Sequence, residues 1–231
     1  FNTIQRTVCL LLISLFSLHI GAAIQNDSWR TERSTQGTDF WVTFMKNAGN
    51  EIDDKSLSLQ LRITTIEEEA SGTICFNNSS SYRYSFRVKK GEVYTFTVPE
   101  NMRKYAYAMT EQTKEYKGVH VTSDKPISVY ACNYGAYSYD ATMVLPTPAL
   151  GREYVVQTFS KDRNATEFAV VATASGTTYL YITPSAETTK NDPANKTMLR
   201  VPLYQGQIYF VRSKLATSDL SGSRIYTTQP V

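Results

Sequence analysis

The segment Tyr-Arg-Tyr-Ser-Phe-Arg-Val-Lys-Lys-Gly-Glu-Val-Tyr-Thr-Phe-Thr-Val, residues 82–98, decides the fold class. From Tyr82 to Val88, aromatic and aliphatic residues alternate with polar ones, and the same alternation resumes from Tyr94 to Val98. A period of two places one set of side chains on each face of a β-strand. Because a short turn containing Gly91 joins the two runs, the pattern predicts a β-hairpin.

Strand-forming residues dominate the rest of the chain as well. The 231 residues include 16 tyrosines, and hydrophobic residues make up 42% of them, so a packed core is expected rather than disorder. Loosely helical spacing occurs only in residues 101–114, where we expect a loop or a short turn of helix. The net charge is +3 without a basic cluster, which excludes nucleic-acid binding as a class. The sequence therefore predicts an all-β protein.

Four segments recur in the same order along the chain, which indicates an internal repeat. The matched pairs are 37–44 with 151–159, 71–74 with 175–178, 88–94 with 203–209, and 118–127 with 222–231. We therefore expect two β repeats, at 37–150 and at 151–231. Units of this length predict tandem antiparallel β-sandwich-like repeats. A propeller-like β repeat array is the alternative, although each repeat is about twice as long as a propeller blade.

The internal repeat also predicts that the natural protein is longer than this sequence. In the first copy the strand after Pro126 continues through Tyr130, whereas the second copy stops at Val231, the position equivalent to Ile127. A strand that ends at its second residue leaves its pairing partner bare. Because the first residue is Phe1 rather than Met, we expect a piece of a longer protein at both ends.

The N-terminal residues have the composition of an export signal. Arg6 precedes an apolar run at 8–18, and the small residues Gly21, Ala22 and Ala23 follow it. This pattern predicts a secretory signal peptide at 1–23, followed by a polar linker at 24–36, and hence a secreted, extracellular protein without a membrane span. The alternative is an N-terminal anchor that is not cleaved.

Two cysteines, Cys75 and Cys132, follow the predicted signal peptide. An oxidising compartment would allow them to form a disulfide, and two separate buried thiols are the equal alternative. Asn-x-Ser/Thr sequences, the acceptors of N-linked glycans in exported proteins, occur at Asn26, Asn77, Asn78, Asn164 and Asn195.

The sequence offers little catalytic machinery. His120 is the one histidine after the predicted signal peptide, and its alternating neighbours predict a partnered residue of a β-sheet rather than a catalytic base. Asp39 and Glu153 occupy matching positions of the repeat, which favours a structural role over paired acid catalysis. The acidic residues at 51–54 lack the spacing of a calcium loop. We therefore expect no enzyme activity, no cofactor and no metal site.

One segment has the composition of a binding loop. Residues 133–140, Asn-Tyr-Gly-Ala-Tyr-Ser-Tyr-Asp, follow a strong strand and are rich in the residue types of antibody paratopes. This pattern predicts ligand contacts by Asn133, Tyr134, Tyr137 and Tyr139. The alternative is a connection whose tyrosines pack back onto the sheet.

Several short segments together resemble the N-terminal domain of the IgGFc-binding protein family. They are residues 37–45, 123–134, 145–147, 150–154, 167–172 and 182–184. The resemblance extends from Gly37 to Val231 and implies an extracellular binding domain. The namesake of the family is a mucus-associated secreted protein that attaches to the Fc part of IgG, and the resemblance offers no catalytic residues to carry over.

Three functions are compatible with these features. The first is a secreted binding or adhesion module for extracellular glycoproteins, either immunoglobulin Fc-like or mucin-like. The second is a structural spacer of a longer surface or matrix protein. The third, a secreted glycan hydrolase, is the remote alternative because the sequence has no credible base or metal site.

Overall fold

The chain folds mainly into antiparallel β-strands. A computed structural model describes residues 34–47, 52, 54–136, 138–159, 164–190 and 197–231. The strands are β1 (Gly37–Val42), β2 (Phe44–Met45), β3 (Ser58–Thr64), β4 (Ala70–Cys75), β5 (Arg83–Val88), β6 (Val93–Thr97), β7 (Tyr107–Ala108), β8 (Lys114–Glu115), β9 (Val119–Tyr134), β10 (Tyr139–Val144), β11 (Glu153–Val155), β12 (Glu167–Val171), β13 (Thr177–Thr183), β14 (Leu199–Tyr204), β15 (Ile208–Arg212) and β16 (Arg224–Thr227). The predicted all-β class is confirmed.

Helical structure in the described part of the chain is limited to short 3-10 helices. They lie at Ser80–Tyr82, Glu100–Tyr105 and Thr147–Ala149. The second falls where the sequence predicts a loop or a short turn of helix. A membrane-spanning helix is absent from the residues that the structure describes.

Some sequence predictions concern residues outside the described part of the chain. They are the signal peptide at 1–23, residues 24–33 of the linker, Tyr137 of the binding loop, and the glycosylation sequences at Asn26 and Asn195. These stay predictions.

The 16-residue strand β9 organises the first part of the fold. Its first half, Val119 to Ser123, lies between β1 and β4, whereas its second half, Ser128 to Tyr134, lies between β3 and β10. The exposed residues between the halves include Pro126, which has no N–H group to leave unpaired. Strand β9 thereby joins seven strands into one continuous hydrogen-bonded sheet. Its two halves belong to different layers, or sheets, of that arrangement, one with β5, β4 and β1 and the other with β6, β3 and β10.

These two sheets enclose one hydrophobic core, as in a β-sandwich. Alternate residues of β3 and β9 point inward and are almost completely buried, as the period of two requires. The largest core side chains of this part are Tyr107, Phe40, Phe76, Leu57, Leu59, Leu61, Ile63, Ile74 and Ile127.

The predicted hairpin at residues 82–98 is wrong, although both strands exist. Strand β5 pairs with β4, and β6 pairs with β3 in the opposite sheet. The turn at Gly91 thus carries the chain from one sheet to the other, and the two strands meet face to face. Phe86 contacts Tyr94 with ring centroids 5.6 Å apart, and Tyr84 contacts Phe96 at 5.0 Å.

The second part of the chain forms two further sheets around a second core. Strand β13 lies between β14 and β16, β11 pairs with the other side of β16, and β15 lies between β12 and β8. Core residues of this part are Phe168, Val170, Leu180, Ile182, Leu203, Val211, Leu220 and Ile225. The two parts contact each other through β8 and β15 and through Ala108, which packs against Ile208 and Phe210.

The strand pairings of the second part follow the same order as those of the first. Strand β3 pairs with β6 as β12 does with β15, and β4 pairs with β5 as β13 does with β14. Strand β9 pairs with β1 and β4 as β16 does with β11 and β13. The division into repeats at 37–150 and 151–231 itself stays a prediction.

The disulfide left open by the sequence is not formed, because Cys75 and Cys132 are both free and buried. Cys75 lies opposite His120, and Cys132 follows His120 by 12 positions in the same strand β9. That spacing corresponds to roughly 40 Å along a straight strand, whereas a disulfide needs Cα atoms within about 7 Å. The alternative of two buried thiols therefore holds.

Reducing agent is expected to leave the thermal stability unchanged. With no cross-link between Cys75 and Cys132, reduction removes no constraint from the unfolded chain. The measurement is the thermal unfolding midpoint of the protein with and without dithiothreitol, with a disulfide-bonded protein as a positive control. A lower midpoint under reducing conditions would mean that the thiols do meet.

Candidate ligand-binding face

A tight connection between β9 and β10 brings two of the predicted contact tyrosines together. The N–H group of Gly135 donates to the carbonyl oxygen of Ser138 at 2.9 Å. Tyr134 and Tyr139 then lie directly opposite each other in the ladder. Their rings meet edge to face, with centroids 5.4 Å apart, which is a favourable arrangement for aromatic pairs.

The outer face of this sheet extends the pair into a larger surface. Residues that lie opposite each other in antiparallel strands share a face, and Tyr130 lies opposite both Met143 of β10 and Arg62 of β3. The Arg62 guanidinium carbon lies 5.9 Å from the centre of the Tyr134 ring, within range of a cation–π contact. We call Arg62, Tyr130, Tyr134, Tyr139 and Met143 the tyrosine face.

The tyrosine face is accessible to a partner molecule. Tyr139 is 73% exposed, and Tyr130 and Met143 are each 40% exposed. Cys132 lies on the same side of β9 but is buried, and its hydrogen bond with Tyr134 raises the pKa of that phenol. The Tyr134 phenol is neutral at physiological pH, as an unperturbed tyrosine is, and the raised pKa reinforces this state.

Asn133 does not lie on the tyrosine face, although the sequence predicts it as a ligand contact. Neighbouring residues of a strand point to opposite faces, and the Asn133 amide donates to the carbonyl oxygen of Met45 at 2.8 Å. The Asn47 amide in turn donates to the carbonyl oxygens of Asn133 at 3.3 Å and Ser138 at 3.4 Å. Asn133 and Asn47 thus support the connection from behind.

His120 is a partnered sheet residue, as its neighbours in the sequence predict. Its Nε2 lies 2.7 Å from Oδ2 of Asp39, and its ring stacks on Trp41 with centroids 4.0 Å apart. Asp39 thus pairs with His120, which agrees with the structural role that its place in the repeat favours. Glu153 belongs to the second part of the chain. It is exposed on β11 and lies opposite Tyr226 of β16.

The structure also brings Cys75 opposite His120, which the sequence could not reveal. The pair has the residue types of a thiol nucleophile and its base. The Cys75 thiol, however, donates to the carbonyl oxygen of Ser79 at 3.1 Å, and the His120 ring contacts Asp39 and Trp41. These contacts hold both groups in structural roles.

A polar cavity of about 420 Å³ lies beside the β9–β10 connection. Glu167 and Arg212, which lie opposite each other in β12 and β15, line it together with Lys46 and Asp140. Burial raises the pKa of Glu167 to about 7, against the opposing effect of Arg212. The sequence did not reveal this group, because the partners of Glu167 come from distant strands.

Among the described residues, no group of three or more His, Cys, Asp or Glu side chains could hold a metal ion. Of the acidic segment at 51–54, Glu51 and Asp53 lie outside the described residues, and the Asp54 carboxylate accepts hydrogen bonds from Ser56. Asn78 and Asn164 are exposed and Asn77 is half-buried, and glycosylation at these positions stays a prediction.

Comparison with known proteins identifies the relationship of this chain. Residues 140–231, from β10 to the last residue, match the family model for IgGFc binding protein. The predicted resemblance to the IgGFc-binding protein family is confirmed. The human IgGFc-binding protein is 29% identical to the chain over 204 residues, which cover 86% of this sequence. No solved structure gives a significant match.

The IgGFc-binding relative is a much larger protein. The present chain spans about 4% of its length. Met143 of the tyrosine face lies inside the segment that matches the family model. Tyr130, Tyr134 and Tyr139 lie just before that segment, and Arg62 lies in the earlier strand β3.

Proposed function

We propose that this chain is a secreted, extracellular binding module that recognises glycoproteins, of the immunoglobulin Fc type or the mucin type, through the tyrosine face. The observation that carries the proposal is the exposed cluster of Arg62, Tyr130, Tyr134, Tyr139 and Met143 on one sheet surface. The resemblance to the IgGFc-binding protein family supports the class of ligand. The predicted signal peptide supports the extracellular location.

The chemistry of the tyrosine face suits recognition of a protein surface. Tyrosine, arginine and methionine are enriched at protein–protein interfaces, and tyrosine and arginine supply many of the residues that dominate binding energy. Tyrosine rings give a large contact area with little loss of side-chain entropy, and their hydroxyl groups can hydrogen-bond to backbone or glycan. Because the face lies on paired strands, its side chains need little reorganisation on binding.

Binding of the purified protein to two immobilised surfaces tests the proposal. One surface carries IgG Fc and the other carries mucin glycoprotein from the source organism, and binding is followed on a biosensor. Saturable binding to either surface is expected. The surface that responds identifies the ligand class. Failure of a folded protein to bind both would favour the structural-spacer alternative.

Replacing Tyr134 and Tyr139 together with alanine is expected to weaken that binding by at least about tenfold. Loss of one strong interface residue costs about 2 kcal/mol or more, and about 1.4 kcal/mol corresponds to a tenfold change in Kd. The matched control is the double replacement of Tyr204 and Tyr226, which are 52% and 48% exposed on the second part of the chain. Equal weakening by both pairs would contradict a specific role for the tyrosine face.

A further inference from the structure

Strand β12 has one unpaired edge. Among the described residues, β12 is the last strand of its sheet, with β15 as its neighbour on the other side. The residues that flank β12 direct their backbone groups toward β15. The N–H group of Ser213 donates to the carbonyl oxygen of Thr166, and the N–H group of Ala172 donates to the carbonyl oxygen of Gln207. Because hydrogen-bonding directions alternate along a strand, the N–H and C=O groups of Glu167, Ala169 and Val171 point to the unpaired edge.

An apolar cavity of about 350 Å³ runs along this edge. Its walls are strand β12 on one side and residues of β1, β11 and β16 on the others. They include Trp41, Tyr154, Val156, Phe168, Val170 and Ile225. An unpaired edge beside an apolar cavity has both requirements of a site for an added β-strand, which are free backbone groups and a place for alternate side chains.

The equivalent place in the first part of the chain is filled by a strand. There β3 corresponds to β12 in its pairing, and the second half of β9 pairs with the edge of β3 that faces away from β6. Val129 and Ala131 of that half point into the core and are buried. Phe40 of β1 is fully buried in this first part. Tyr154 has the equivalent position in β11 of the second part, and it is 38% exposed.

Val231 lines the cavity, and its backbone is hydrogen-bonded in the same way as that of Ile127, the equivalent residue of the first part. Its N–H group donates to the carbonyl oxygen of Gly151 at 3.0 Å, and Tyr154 donates to its carbonyl oxygen at 2.5 Å. In the first part, Gly37 lies opposite Ile127 in the same way, and the next residue, Ser128, begins the pairing with β3 opposite Thr64.

We propose that the free edge of β12 is the docking site for a further antiparallel strand that enters directly from Val231. The register of β9 on β3 places the first added residue opposite Val171 and the fifth opposite Glu167. The second and fourth added residues are apolar and fill the cavity, as Val129 and Ala131 do in the first part. This site is separate from the tyrosine face, so its test does not depend on ligand binding.

Extending the chain after Val231 tests the proposal. The seven residues of Ser128–Tyr134, which fill the equivalent place beside β3, are appended directly after Val231. The thermal unfolding midpoint is expected to rise by about 4 °C or more. Binding of a hydrophobic dye is expected to fall, and hydrogen exchange of the Ala169 and Val171 amides is expected to slow at least tenfold.

Two controls separate strand pairing from a general effect of extra residues. The first is the same extension with proline at its second and fourth positions, which cannot fill the cavity or keep a regular strand. The second is Ala169→Pro, which removes an N–H group from the free edge and not from the ladder with β15. The proline-containing extension is expected to leave the unfolding midpoint of the original chain unchanged. The original extension is expected to leave the midpoint of Ala169→Pro unchanged, relative to Ala169→Pro without an extension.

Two outcomes would overturn the proposal. One is an extended protein whose Ala169 and Val171 amides exchange as fast as those of the unextended protein. The other is an unextended protein in which these amides are already protected and which sediments as a dimer, because a second copy would then cover the edge.

Discussion

Gly72→Ala is expected to destabilise the fold by about 3 kcal/mol or more, a large effect for the addition of one methyl group. Gly72 lies in the middle of β4, between Phe86 of β5 and Ser123 of β9. A Cβ atom at this position would lie 2.1 Å from the carbonyl oxygen of Thr122 and 2.4 Å from Cζ of Phe86. Since β4 has paired strands on both sides, the backbone cannot move away without breaking a ladder.

Gly176→Ala is the matched control for this prediction. The sequence places Gly72 and Gly176 at matching positions of two Ser-Gly-Thr segments, yet the structure requires glycine for different reasons. Gly176 has a φ of +85°, and an added Cβ would meet no atom within 4 Å. Its replacement is expected to cost about 1–2 kcal/mol, the penalty of left-handed backbone. Urea unfolding of both variants gives the comparison, and equal losses would contradict the steric explanation.

The free energy of unfolding is expected to fall as the pH rises from about 4.5 to about 7, because of Glu167. Burial raises the pKa of this carboxyl from 4.5 to about 7, so the folded state binds the proton more tightly than the unfolded state does. The stabilisation is complete below the unfolded pKa and is lost as the pH passes the folded pKa. The expected loss is about 3 kcal/mol, which is the difference between the two pKa values in energy units.

Glu167→Gln is expected to remove most of this pH dependence. Glutamine keeps the shape of the side chain beside Arg212 and cannot ionise. The measurement is urea unfolding between pH 4.5 and 8, and the matched control is Glu153→Gln, at an exposed position of β11. An unchanged slope in Glu167→Gln would assign the pH dependence to other groups.

The sequence predicts which residues form strands far better than it predicts how strands pair. Alternation from Tyr82 to Val98 depends on neighbouring residues, and it correctly indicates strands β5 and β6 and their buried faces. Whether those strands meet edge to edge or face to face depends on β3 and β4, which come from elsewhere in the chain. A period of two contains no information about the partner, and for this reason the hairpin prediction fails.

The same distinction applies to the candidate site. Residue types alone pointed to Tyr134 and Tyr139, because the composition of a binding loop is local. Arg62 and Met143 join them only through the registers of β3 and β10 on β9. The alternation of side chains along a strand is also local information, and it predicts that Asn133 and Tyr134 point to opposite faces of the sheet. Glu167 gave no signal, since its pKa shift comes from burial among strands that are distant in sequence.

The position of β9 has a consequence for synthesis of the protein. Strands β3 to β6 precede β9 along the chain, yet β9 is the central partner that joins the two sheets. Translation from β3 to the end of β9 takes on the order of ten seconds at ordinary ribosome speeds. During that interval Leu61, Ile74 and Phe96 have no completed core to enter, and uncovered strands are prone to wrong pairing. Closure of the first sandwich is thus controlled by the arrival of one late strand, and a nascent chain that stalls before Tyr134 would present an apolar surface to chaperones.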